Sequence, residues 1–127
     1  MADSSIGRSV VLVTFGALLA AGCGGDSPRV TAEGGPGKTV AVRAADNRFI
    51  AEEVRVRVGT EIVWTNTGRN PHDVVPAEGN GWGVDLDAFG PGSEYRRVFS
   101  EPGTYVYYCT IHGTAGAGMK GVVIVEE

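Results

Sequence analysis

Four residues of this 127-residue chain offer the donors a soft metal selects: His72, Cys109, His112 and Met119. Cys109 is the only cysteine outside an apolar N-terminal leader. The two histidines are the only ones in the chain, and Met119 is the only methionine besides the initiator. Thiolate, imidazole and thioether are copper donors, and two imidazoles, one thiolate and a weak axial methionine form the trigonal set of a blue copper electron-transfer site. Each residue alone has a plainer reading, since a lone Cys is a small buried hydrophobe and a lone Met a gap-filler. Together they form one constellation: Cys109 and His112 in a Cys-x-x-His spacing, then glycine-rich sequence, then Met119, with His72 upstream in Asn70-Pro71-His72-Asp73.

Those side chains need rigid elements to hold them. Cys109 closes the apolar run Thr104–Tyr108, which follows a Glu101-Pro102-Gly103 turn. Residues 38–44 and 53–58 alternate apolar and polar with the period of half-buried strands, Val54, Val56 and Val58 facing inward. Further strands are predicted at Phe49–Ile50, Glu61–Asn66, Val74–Val75, Glu94–Ser100 and Val122–Val125. Twenty glycines and six prolines punctuate these runs. The fold class that follows is all-β, a two-sheet Greek-key sandwich of about seven or eight strands. Trp64 belongs in its core. Residues 76–92 form a long loop pinned by Trp82 and Phe89, with Asp85 and Asp87 as solvated charges.

The chain divides into three parts. Residues 1–22 read as a signal peptide: Arg8 precedes an apolar run from Ser9 to Ala21 that is too short for a comfortable membrane span. The run ends in Leu19-Ala20-Ala21-Gly22-Cys23, which resembles a bacterial lipobox, so Cys23 is expected to be lipidated. Residues 23–37, rich in Gly, Ser and Pro, read as a flexible tether, and residues 38–127 as the folded domain. The expected location is the extracytoplasmic face of the bacterial cell membrane. Lipidated Cys23 would leave Cys109 as the only thiol and exclude a disulfide. A net charge of −4 argues against nucleic-acid binding, which needs a concentrated basic surface.

The domain resembles a cupredoxin of the plastocyanin, pseudoazurin and halocyanin group. The residues that carry the likeness are Asp46-Asn47-Arg48-Phe49, Val63-Trp64-Thr65-Asn66, Pro71-His72-Asp73-Val74-Val75, Pro102 to Cys109, and Gly118 to Val125. The resemblance implies one type 1 copper ion, with His112 as the partly exposed ligand through which electrons pass. It also implies redox partner proteins that dock on Ile111, Gly113, Ala115 and Ala117 around His112, and no small-molecule substrate.

Two departures stand out. Six residues separate His112 from Met119, more than in plastocyanin, and Asp73 follows His72 where the family often has Asn. Asp73 is expected to accept a hydrogen bond from Thr110, to favour Cu(II) and so to lower the reduction potential. Four protein ligands leave no open position for a substrate, so an enzyme is not expected. A nitrite reductase or oxidase needs further histidines for a second copper centre, and a binuclear copper site needs two cysteines. A copper-binding or delivery protein that never turns over electrons is the alternative function.

Overall fold

The computed structural model describes residues 29–32 and 34–127; the leader and Cys23 lie outside the described residues. Nine strands follow in order: β1 (Arg29–Thr31), β2 (Thr39–Ala45), β3 (Arg48–Ile50), β4 (Glu53–Arg57), β5 (Thr60–Asn66), β6 (Val75–Pro76), β7 (Glu94–Phe99), β8 (Gly103–Thr114) and β9 (Ala117–Glu126). They form two sheets, ordered β1-β4-β9-β8-β6 and β3-β2-β5-β7. The only helical element among the described residues is a 3-10 turn at Leu86–Ala88.

Alternation explains the layers. Val54 and Val56 of β4 and Val123 and Val125 of β9 point inward, facing Val42 and Ala44 of β2 and Ile62 and Trp64 of β5. Each such side chain removes apolar area from water, about 1.5–3 kcal/mol per fully buried Val, Ile or Phe. Trp64 is the centre of the aromatic part of the core. Its ring stacks on Tyr95 at 5.4 Å and meets Tyr107 edge-on at 5.4 Å. Trp82 and Phe89 do pin the long loop. Phe89 is fully buried, and Trp82 packs 5.6 Å from Phe99 with the Arg97 guanidinium 5.5 Å above its ring.

Parallel pairing joins β2 to β5, β4 to β9 and β1 to β4. Parallel neighbours cannot be joined by hairpins, and the chain changes sheets at every connection except β2 to β3 and β8 to β9. The β5–β6 crossing carries His72.

Three elements differ from the sequence reading. Within the stretch read as a tether, Arg29–Thr31 is a strand, parallel to Glu53–Arg55. It is stabilised by edge pairing and by Gly35 N–H donating to Thr60 Oγ1 at 2.7 Å, rather than by its own apolar content. β8 does not stop at Cys109 but continues to Thr114, and β9 begins at Ala117 rather than Val122. The reason is one long hairpin whose outer rungs pair Gly113 with Gly118 and Thr114 with Ala117.

Candidate metal centre

The β8–β9 register is broken at one place. Tyr108 pairs with Lys120 and Gly113 with Gly118, so the four residues Cys109–His112 bulge out opposite Met119 alone. A bulge re-aims side chains that regular alternation would send to opposite faces. Here it turns Cys109 and His112 toward one point: Cys109 Sγ lies 3.9 Å from His112 Nδ1. Glycine is needed on both flanks. A Cβ at Gly118, whose φ is +76°, would lie 2.6 Å from His112 O, and one at Gly113 would strike the Met119 backbone. The extra residues between His112 and Met119 fold away as the hairpin tip, where Thr114 Oγ1 accepts from Gly116 N–H (3.3 Å) and Ala117 N–H (3.2 Å).

His72 arrives from the other sheet. β6 pairs Val75 with Tyr108 and so sets the segment before it alongside Cys109. His72 N–H donates to Phe89 O at 3.2 Å. Asn66, buried at the end of β5, bridges the crossing: its Nδ2 donates to Asn70 O (2.9 Å) and Phe89 O (2.8 Å), and its Oδ1 accepts from Gly68 N–H (2.9 Å). His72 Nδ1 then sits 3.7 Å from Cys109 Sγ, with the two imidazole centroids 5.1 Å apart and inclined by 62°.

The three donor atoms lie within 4.8 Å of one another. A first-row metal ion bonds thiolate sulfur at about 2.3 Å and imidazole nitrogen at about 2.0 Å. Two such ligands about 120° apart would lie about 3.7 Å from one another, which matches both sulfur–nitrogen separations. His72, Cys109 and Met119 are fully buried, and Met119 belongs to the same core cluster as Cys109. His112 is half-buried, and beside it Ile111 is 53% exposed.

Burial pushes the Cys109 thiol pKa up, although backbone N–H groups of Asp73, Ile111 and His112 favour its thiolate. Without metal it therefore stays a neutral thiol, and a bound cation displaces the proton. Burial, reinforced by His112, lowers the His72 pKa, with Asp46 and Asp73 opposing. That leaves the neutral imidazole a metal requires.

Asp73 makes the expected hydrogen bond to Thr110. Its Oδ1 accepts from Thr110 N–H at 2.7 Å and its Oδ2 from the Thr110 hydroxyl at 2.5 Å, tying the His72 segment to the residue after Cys109. Trp82 and Phe89 likewise act as packing residues. The sequence reading names Asn66 only as part of the family likeness and gives it no role at the site. It gives none to Asp46 and Gly68 either, which border His72 Nε2.

Known proteins share this arrangement of strands. Amicyanin-alpha of Methylorubrum extorquens is 39% identical over 95 residues, 72% of this chain and 75% of that protein. A reduced tryptophan-to-tyrosine mutant of amicyanin superimposes with a TM-score of 0.60 at 28% identity, over 71% of this chain and 84% of that one. A copper-containing nitrite reductase from Thermus scotoductus superimposes with a TM-score of 0.57 at 28% identity, over 70% of this chain. This chain covers only 22% of that reductase. The family model for copper binding proteins of the plastocyanin/azurin family matches residues 38–126, and the chain belongs to that family, a cupredoxin that binds copper.

Proposed function

We propose that this protein is a one-electron carrier in which His72, Cys109 and His112 ligate a single type 1 copper ion, with Met119 as the weak axial donor. A bound copper ion supplies the Cu(I)/Cu(II) couple. The observation that carries the reading is the convergence of three donor atoms within 4.8 Å, on a bulge and a crossing already fixed by protein hydrogen bonds. Such a scaffold keeps the donors in place in both oxidation states, which lowers the reorganisation needed for electron transfer. His72 and Cys109 exclude water from the site. His112, half-buried at its edge, is the route out.

Redox partner proteins would dock there. Ile111, Ala115 and Ala117 are exposed around His112, a small apolar surface suited to brief contact. The chain has no histidines besides the two already assigned, so a second copper centre of the nitrite reductase kind is not part of this reading. On the leader sequence, the carrier is exported and held by lipidated Cys23 on the outer face of the cytoplasmic membrane. Diacylglyceryl on Cys23 in the mass of the membrane-extracted protein tests that part.

The visible spectrum with Cu(II) tests the centre. An intense blue thiolate-to-copper band in the wild type, absent in Cys109→Ser, is the expected result; a colourless wild type rejects the proposal. Rapid electron self-exchange separates a carrier from a copper-delivery protein, which needs none.

A further inference from the structure

His72 has two ring nitrogens, and the structure accounts for one. Nδ1 faces Cys109 Sγ at 3.7 Å. With Nδ1 on a metal, the proton sits on Nε2. Nε2 is buried, and no hydrogen-bond partner reaches it among the described residues. A metal-ligating histidine almost always gives that proton to a carboxylate, a carbonyl or a water.

Gly68 shows where the acceptor lies. A Cβ there would sit 2.6 Å from Asp46 Oδ1 and 3.1 Å from His72 Nε2. The missing side chain therefore leaves a tight space, too close to Asp46 Oδ1 for a methyl group, bordered by that oxygen and the orphan nitrogen. Gly68 lies outside the positive-φ region, so its backbone does not demand glycine. The space does.

Both walls of that space are fixed. Asp46 Oδ1 accepts from Arg69 N–H at 2.6 Å. The chain around Gly68 is held by Thr67 N–H and Gly68 N–H donating to Ala44 O at 2.9 and 3.2 Å.

We propose that Asp46 is a positioning residue for the metal centre: beside Gly68 its carboxylate accepts the Nε2–H of His72 through one bridging water. The contact fixes the tautomer that presents Nδ1 to copper. It also makes that nitrogen more basic, which favours Cu(II) over Cu(I). Asp73 bonds instead to Thr110, so the two carboxylates reach the centre through different partners. The inference rests on the blue-copper reading above.

The test uses the copper-loaded protein with Asp46→Ala, Asp46→Asn and Gly68→Ala. Asp46→Asn keeps an acceptor for Arg69 N–H, so one variant retains the turn. The ratio of Cu(II) to Cu(I) affinity should fall by about tenfold in Asp46→Ala, a rise in potential of about 59 mV. Asp46→Asn should move it in the same direction by less. Gly68→Ala, whose methyl would press on Asp46 Oδ1 and take the bridging position, should resemble Asp46→Ala. In the Cu(I) protein, the His72 Nε2 proton should exchange slowly in the wild type and fast in Asp46→Ala. Blue variants with unchanged potential and unchanged proton exchange overturn the proposal. So does a change confined to unfolding stability, which would assign Asp46 to the Arg69 turn alone. A colourless wild type overturns the parent reading and this one with it, so the two failures are told apart.

Discussion

The centre has two halves, and they are held by different physics. Cys109, His112 and Met119 come from one hairpin, where strand register sets their relation: four bulged residues stand against one. His72 comes from a crossing between sheets, outside any ladder and three residues before the first β6 rung at Val75. There the backbone is placed by Asn66, by the Phe89 carbonyl and by the Asp73–Thr110 clasp. Register is a property of many rungs and gives way all at once. A polar network is made of separable bonds and weakens one bond at a time.

This difference can be broken experimentally. The largest effect is expected from Gly113→Val, whose side chain would meet the Met119 backbone and force the bulge apart. We expect loss of about 3 kcal/mol of apo-protein stability in denaturant unfolding and disappearance of the blue band. A variant that stays blue would show that register is not what gathers this half. Asn66→Ala should cost about 2–3 kcal/mol, because buried groups lose their partners. Unlike Gly113→Val, it should keep a blue band and lose only about 10- to 100-fold in copper affinity. If the two variants behave alike, the halves are not independent.

Asp73→Asn is milder. It keeps an acceptor for Thr110 but removes a charge beside the centre, so cyclic voltammetry should show a raised potential with the colour intact. An unchanged or lower value would count against electrostatic tuning from Asp73.

The smallest effect is expected from protons. The His72 pKa is lowered in the folded state from an ordinary value near 6.5. Below that value the unfolded chain binds more protons than the folded one, so this group's contribution is present above about pH 6.5 and is lost as pH falls through the folded-state value. Denaturant midpoints of the apo protein should fall with pH across that window, and those of His72→Phe should fall less.

Much of this was legible in the sequence, for physical reasons. Val54 and Val56 alternate with charged residues because one face of β4 is buried, and scarce Cys, His and Met stand out because few other roles require them. The Asp73–Thr110 bond could be anticipated from a carboxylate next to one candidate ligand and a hydroxyl next to another. Register could not. Nothing in Gly113 to Gly118 shows that those residues pair across a tip rather than loop past the site, since glycine runs serve both ends. Asp46 stands among the residues that carry the family likeness, but its place beside His72 could not be read, because it depends on the fold bringing the loop at Gly68 against it.

The short β1 strand has a consequence for reach. Its pairing with β4 takes up chain at Arg29, so five residues, 24–28, lie between Cys23 and the folded body. Whatever their conformation, they span no more than about 20 Å. A lipid on Cys23 would hold the sheet edge near the headgroups, on a mooring too short to wander far from the bilayer. Encounters would then be restricted to partners whose own redox centres ride low over the membrane.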